Sequence, residues 1–154
     1  MTTSPRTATR LEHLFDAELE YRPGMEPIVP IEEGEGSLTG SGDGTIAGPR
    51  VDGSISWTLF EHTGETACAM NPTAVIETRD GATIRVEGRG WGRRPDAGST
   101  RWTVGAALRF LTEDERYRWL NDTLGVWEGE FDAEAHRARY RAYLQRTDDA
   151  KEDE

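Results

Sequence analysis

The chain has 154 residues, a formal net charge of −11 and a hydrophobic fraction of 35%. The length fits one domain with a core of its own, and the low apolar fraction fits strands that face water on one side. The acidic balance repels phosphate backbones and no basic run is present, so the sequence predicts no nucleic-acid partner.

Further features indicate the compartment and the domain bounds. The single cysteine, Cys68, excludes an internal disulfide. The N-terminus lacks the pattern of a signal peptide and no apolar run reaches the length of a membrane span, so we expect a cytoplasmic protein with no membrane partner. Residues 1–9 and 147–154 lack apolar periodicity and are predicted to be disordered tails, which leaves a single domain over residues 10–146.

Alternating apolar and polar residues predict strands in the first half of the chain. From Phe15 to Tyr21 the odd positions are apolar and the even positions are charged, which is typical of a half-buried strand. In the stretch 53–62, Ile55, Trp57 and Leu59 share one face, so this stretch is predicted to be a second half-buried strand.

A glycine-rich stretch over residues 34–53 lies between these two strands. Closely spaced glycines can cradle a phosphate, but the spacings of the known phosphate loops are absent and no helix follows. The stretch therefore predicts tight turns and bulges in a curving sheet, with short strands near 35–39 and 44–48.

Three more strands are predicted in the middle of the chain. Residues 66–79 form one, which Asn71-Pro72 is expected to break or bulge because proline cannot donate to a ladder. A turn at 79–82 leads into the next strand, over 82–91. The clearest strand covers 101–111, where the residues from Trp102 to Phe110 alternate without a gap.

A short α-helix is predicted over residues 113–120. Thr112 and Glu115 have the spacing of a capping box, and acidic residues occupy the first turn, where the helix dipole favours them. Asn121-Asp122 ends the helix, and residues 123–131 are predicted to be another strand.

The segment 132–146 supports two interpretations. Its alanines and arginines favour a helix, whereas Tyr140, Ala142 and Leu144 share one face if the segment is a strand. Local propensity alone favours the helix.

Three stretches of the chain resemble a known family in order and spacing. They are residues 44–53, 77–84 and 110–129, and the most specific part contains Tyr117, Trp119, Leu120 and Asn121. Over roughly residues 11–144 the pattern resembles the small bacterial and fungal proteins grouped as the domain of unknown function 3237 family.

The resemblance implies a fold that is mostly all-β: an antiparallel β-barrel of lipocalin-like (calycin) shape with one short α-helix and a cavity. It also implies that the chain ends in a closing strand. We follow it for residues 132–146, because tertiary context overrides weak propensity and an unpaired barrel edge is a liability. The resemblance supplies no catalytic residues.

The sequence offers few groups for catalysis. None of the three histidines has a partner at the spacing of a metal pair, so no metal site is predicted. Cys68 lacks the histidine signature of a nucleophile and is interpreted as a small buried residue. Glu-Gly-Glu at 33–35 and at 128–130 would place paired carboxylates on one strand face, but a solvated strand edge is the favoured interpretation.

The aromatic residues carry more information. Five tryptophans either fill the barrel or line a pocket for an apolar or planar ligand, with a few polar groups that fix its orientation. Arg109 points outward if Trp102 and Phe110 point inward, and inward if that apolar face is covered by another element, and the sequence does not choose between these orientations. The predicted ligand-binding residues are Trp57, Glu77, Arg89, Trp91, Trp102, Arg109 and Asn121.

Two functions from different classes fit these features. The first is a barrel that binds a small hydrophobic or aromatic metabolite, with a cofactor-independent isomerase or cyclase as its catalytic form; its mark is a cavity that holds buried Glu77, Arg89 or Asn121. The second is a non-catalytic binding or interaction module whose tryptophans fill the barrel. A homo-oligomer is compatible with both, since association covers barrel edges.

Overall fold

The computed structural model describes residues 7–22, 26–32 and 35–149. Nine strands account for most of them. The strands are β1 (Thr7–Tyr21), β2 (Glu26–Glu32), β3 (Glu35–Ala47), β4 (Gly53–Thr63), β5 (Ala67–Thr78), β6 (Thr83–Arg93), β7 (Arg101–Leu111), β8 (Leu124–Asp132) and β9 (Arg137–Asp149).

Eight of these strands form a closed antiparallel barrel. The sheet order is β1-β9-β8-β7-β6-β5-β4-β3-β2, and an additional pairing of β1 with β3 closes the ring and leaves β2 paired only with β3. The predicted fold class is confirmed. The closing strand is also confirmed, because β9 pairs with β1 over thirteen register positions and with β8 on its other side.

Strict alternation of buried and exposed residues generates the core. Exposed and buried residues alternate along β7 from Arg101 to Phe110, and they alternate over most of the length of β5 as well. Because successive side chains of a strand point to opposite faces, one face of each strand lines the barrel interior and the other meets water. The core is therefore the barrel interior, and Ile76, Ile84 and Phe110 in it have no exposed surface.

The proline in β5 is accommodated without a bulge. The strand runs without interruption through Asn71-Pro72, and the β5–β6 register is the same before and after the two residues that lack a ladder pairing to β6. Pro72 lies opposite Gly88, and a side chain at Gly88 would come within 2.7 Å of the proline ring. The expected break is therefore wrong, because a glycine on the neighbouring strand makes room for the ring.

A single long strand replaces the two short ones that were expected in the glycine-rich stretch. Strand β3 covers Glu35–Ala47 and pairs with β2, β4 and β1. A side chain at Gly42, Gly44 or Gly48 would collide with the backbone of β1. These glycines thus serve the close approach of strands at the barrel seam.

The predicted α-helix over 113–120 is wrong. The segment 112–123, which we call the plug, contains turns and one 3-10 helix, Arg118–Leu120. Its backbone bonds link residues three apart, such as Leu120 N–H to Tyr117 O at 3.0 Å. The Asn121 side chain holds both ends together, because its Oδ1 accepts from Thr112 N at 2.9 Å and its Nδ2 donates to Thr112 O at 2.9 Å. This nine-residue closure requires a tighter path than an α-helix gives.

The predicted tails fall partly within strands. Residues 7–9 belong to β1 and residues 147–149 to β9. The remainder of each predicted tail, residues 1–6 and 150–154, lies outside the described residues.

The outer wall at the β1–β9 seam carries a ladder of ion pairs. Three arginines of β9 stand directly opposite three carboxylates of β1, and β8 places Glu128, Glu130 and Asp132 on their other side. The pairs are Arg137–Glu20, Arg139–Glu18 and Arg141–Asp16. All six side chains are exposed, so the ladder favours this strand pairing more than it adds to stability.

Candidate functional site

Six aromatic rings line one end of the barrel interior, the end where β1 finishes and β9 begins. We call this the aromatic end, and the set of rings the aromatic cup. Its members are Tyr21, Trp57, Trp102, Trp127, Phe131 and Tyr140. The ring of Tyr21 lies 4.2 Å from that of Trp57 and 4.3 Å from that of Phe131, and Trp127 stacks on Tyr140 at 4.8 Å.

Glycines in the wall create the room for these rings. A side chain at Gly42 would lie 2.5 Å from the indole of Trp57, which stands opposite it on β4. A side chain at Gly92 would meet Cys68 Sγ at 2.8 Å and the Trp102 ring at 3.5 Å. At this end of the barrel, glycines in the wall therefore leave the space that the large rings fill.

Two indole N–H groups in the cup have no hydrogen-bond acceptor among the described residues. They are Nε1 of Trp57 and Nε1 of Trp127, and the two side chains are only 4% and 3% exposed. A buried donor without an acceptor costs about 1–3 kcal/mol, and most buried polar groups in proteins are paired. The cup therefore presents two unsatisfied donors suited to oxygen acceptors.

Glu61 adds a carboxyl group to the same end. Ile55, Trp57 and Leu59 alternate inward along β4, and Glu61 is the next inward position. Burial raises the pKa of Glu61, while a hydrogen bond from Thr63 Oγ1 at 3.2 Å lowers it by less. A half-buried carboxyl of this kind retains its proton to a higher pH than an exposed glutamate does.

Three titratable groups on which the Glu61 carboxylate acts are neutral at physiological pH. Burial raises the pKa of Cys68 to about 11, and the carboxylate of Glu61 adds to the rise. Burial raises the pKa of Tyr140 to about 12 and that of Tyr21 well above its usual range. The two tyrosine hydroxyls lie 3.5 Å apart.

Arg94 covers the cup at Trp102. Its guanidinium carbon lies 4.5 Å from the centre of the indole ring. Its Nε donates to Glu65 O at 2.7 Å and its NH1 donates to Ser99 O at 3.0 Å. The arginine thereby ties the loops 64–66 and 94–100 to the rim.

The residues predicted to bind ligand occupy three places. Trp57 and Trp102 belong to the cup. Asn121 is half-buried in the plug at the opposite end, where it bonds the Thr112 backbone. The outer wall holds the other four, all exposed: Glu77, Arg89, Trp91 and Arg109. The structure therefore brings together two of the seven, and no cavity-facing role remains for Glu77 or Arg89.

Sequence reasoning missed Glu61, the two tyrosines, Trp127 and Phe131 as members of one site. The alternation that placed Trp57 and Leu59 on one face also places Glu61 there, so a usable signal existed on β4. No comparable signal links Tyr21 with Tyr140, because these residues are 119 positions apart and meet only through barrel closure.

A surface depression lies along the β1–β9 seam and reaches Phe131 of the cup. It has a volume of about 760 Å³ and is lined mainly by charged residues of β1, β3, β8 and β9, among them Glu18, Glu20, Arg137 and Arg139. Those four charges already pair with one another. This depression therefore lacks the unsatisfied polar groups that the cup contains.

Within the described part of the chain, no group of three His, Cys, Asp or Glu side chains is arranged to hold a metal ion. No helix in the same part is long and apolar enough to cross a membrane.

The fold and the cup define a class of protein: a closed antiparallel β-barrel with an aromatic interior at one end. The sequence matches the family model described as protein of unknown function (DUF3237) over residues 9–144. The chain belongs to this family, which confirms the resemblance seen in the sequence. No curated protein matches the sequence.

Solved structures share the barrel. A β-barrel-like protein from Acinetobacter baumannii AYE is 17% identical with a TM-score of 0.79, covering 95% of this chain and 100% of its own. An enzyme from Penicillium herquei is 24% identical with a TM-score of 0.67, covering 95% and 98%. A protein of unknown function from Clostridium acetobutylicum is 16% identical with a TM-score of 0.74, covering 88% and 98%. These likenesses establish the fold.

Proposed function

We propose that the barrel binds a small, flat, hydrophobic metabolite in the aromatic cup, and that the ligand carries oxygen acceptors. The observation that carries this proposal is the pair of buried indole N–H groups, on Trp57 and Trp127, without acceptors. Stacked rings favour a planar apolar partner, and a donor that is dry and unpaired gains a full hydrogen bond when an acceptor arrives.

The similarity to an enzyme from Penicillium herquei extends this proposal to catalysis. A cofactor-independent isomerase or cyclase would need only shape, positioned donors and a proton carrier, and the cup with Glu61 offers these. We place the protein in the cytoplasm, in keeping with its sequence, and assign it no cofactor, nucleic-acid or membrane partner.

A matched pair of probes tests the binding. The two naphthalenes 2-acetonaphthalene and 2-ethylnaphthalene have nearly the same shape, but only the first carries a carbonyl acceptor. We expect the ketone to bind at least about tenfold more tightly in equilibrium dialysis, since one hydrogen bond to a buried donor is worth about 1.4 kcal/mol or more. Trp57→Phe or Trp127→Phe should remove most of the difference, whereas Trp91→Phe on the outer wall should leave it unchanged.

A self-filled barrel is the alternative, because the protein alone buries Trp57, Trp102 and Trp127 to more than nine-tenths. In that case the barrel acts as a binding or oligomeric interaction module. Trp91 would be its contact residue, since it is 59% exposed and lies opposite Gly105 on the outer wall. Failure of both probes to bind, with a dimer in light scattering that Trp91→Ser dissociates, would favour this alternative.

A further inference from the structure

We propose that Glu61 is the general base of the site and removes a proton from a carbon atom of the ligand bound in the cup. This inference rests on the proposed function and names its chemistry: the ligand is a carbon acid with an oxygen acceptor at its far end. The arrangement that supports it is an inward carboxyl at the rim, above two unpaired donors deeper in the cup.

Strand geometry sets the size of the ligand. Glu61 follows Trp57 by four positions on the same face of β4, which separates their backbones by about 13 Å at roughly 3.3 Å per residue. Both side chains leave the same face of β4, and the inward side chain of Leu59 lies between them. A molecule of two or three fused rings has the length to pass Leu59 and reach both groups, with its acceptor on the indole and its acidic carbon at the carboxyl.

The surroundings suit a base rather than an ion-pair partner. Among the described residues, the charge of Glu61 raises the pKa of Tyr21 of β1, Cys68 of β5 and Tyr140 of β9, so these three groups lie near it and are neutral near pH 7, while the cation of Arg94 also acts on Cys68. No described salt bridge includes Glu61. A carboxylate that is partly dehydrated and has no cation paired with it is a stronger base than a carboxylate in water.

The planar compound 5-nitrobenzisoxazole probes this chemistry directly. A carboxylate takes the proton on C3, the C–H electron pair becomes the third bond of a nitrile, and the N–O bond breaks with its electron pair leaving on oxygen as a phenolate. The phenolate is coloured, so the rate is read by absorbance. The proton passes from the Glu61 carboxyl to water, and no other reactant is needed.

We expect the full-length protein to accelerate this elimination over acetate buffer, with a rate that rises with pH as Glu61 loses its proton. Burial raises the pKa of Glu61, so the midpoint of the rise should lie above that of an ordinary glutamate. Glu61→Gln should lower the rate by about 100-fold or more, the usual contribution of a positioned base. Glu61→Asp keeps a carboxylate but sets it one methylene further back, so its rate should fall by less than that of Glu61→Gln.

The control variant is Glu65→Gln, which removes the same charge from an exposed residue in the turn between β4 and β5 and should retain the full rate. Melting curves confirm that each variant is folded. A Glu61→Gln protein that keeps most of the rate, or a wild type no faster than acetate, overturns the inference.

Binding of 2-acetonaphthalene separates this failure from a failure of the proposed function. Glu61→Gln should bind that ketone as tightly as the wild type does, because Trp57 and Trp127 remain. If the wild type binds the ketone but does not catalyse the elimination, the role of Glu61 as a base is wrong and the proposed binding site stands. If it binds neither probe, both proposals are wrong.

Discussion

The two ends of the barrel are built by the same alternation of side chains but hold different groups. At the end closed by the plug, which we call the plugged end, Phe110 and Ile84 of the strands and Leu120 of the plug are at most 1% exposed. At the aromatic end, Tyr21, Trp102 and Met70 are 7–9% exposed, and a carboxyl and two unpaired indoles accompany them. The plugged end resembles an ordinary core, and the aromatic end retains unsatisfied groups, which is typical of a functional site.

Polar contacts hold the plug, and the polar groups that make them have hydrogen-bond partners. Tyr117 donates to the Asp80 carboxylate at 2.8 Å, and Thr112 Oγ1 donates to Thr83 O at 2.8 Å. Arg50 stacks over Trp119 at 3.6 Å. The most specific part of the family resemblance, Tyr117 to Asn121, thus belongs to the structural end of the molecule rather than to the cup.

The largest effect should come from truncating the plugged core. Phe110→Ala removes a ring with no exposed surface and should lower the free energy of unfolding by about 3–5 kcal/mol, because the tight surroundings cannot collapse into the cavity. Urea denaturation measures the loss. Phe60→Ala, the same substitution at a 42% exposed position of the outer wall, is the control and should change little. Similar losses in both variants would mean that the plugged end is not tightly packed.

A smaller loss should follow from Asn121→Ala. The change leaves the N–H and the C=O of Thr112 without their partners, and we expect a loss of about 2 kcal/mol in thermal or urea unfolding. Asn121→Asp keeps the acceptor but not the donor and should fall between the wild type and the alanine variant. Binding of 2-acetonaphthalene should survive in both variants, and its loss would show that the two ends are coupled.

At the aromatic end, we expect a substitution that raises the stability of the protein instead of lowering it. The pKa of Glu61 is raised by burial in the folded state, so the folded protein holds the proton more tightly than the unfolded chain does. The contribution of Glu61 to stability is therefore fully present below the ordinary glutamate pKa and is lost as pH rises through the raised value. Glu61→Gln should be more stable than the wild type at pH 7, and this difference should vanish in acid.

Melting temperatures of Glu61→Gln and the wild type across pH test this sign. Glu65→Gln is the control and should follow the wild type at every pH. A Glu61→Gln protein that is less stable than the wild type at pH 7 would show that the carboxylate has a stabilising partner, and the aromatic end would then resemble the plugged end.

Much of the fold was predictable because alternation is a local property. The bounds of β4 to β8 fall within about two residues of the expected strands, since inward and outward positions differ in polarity along each of them. Local chemistry failed at the plug, where Thr112 and Glu115 suggest a helix cap. The Asn121 side chain closes the segment too tightly for an α-helix there.

The candidate site was less predictable than the strands, because alternation shows which face a residue occupies but not which distant residues it meets. Trp57 and Trp102 were identified from their abundance and strand face, but Arg89 and Trp91 alternate with glycines rather than with large apolar residues. Ile84 and Val86 mark the inward face of β6, and the same alternation places Arg89 and Trp91 on the outer wall, so a usable signal against these two residues existed. Gly88 leaves space for the ring of Pro72 and Gly92 for Cys68 and the ring of Trp102, whereas Gly90 allows the close approach of β7.

By itself the sequence determined most of the strands, from β4 onward, together with the acidic surface and the family, because each depends on neighbouring residues or on order along the chain. Only the tertiary structure decided which rings meet. Tyr21 and Tyr140 face each other, and Glu61 lies near them, because β1 pairs with both β3 and β9. Closure of the barrel is a contact between distant parts of the chain, and no local pattern encodes it.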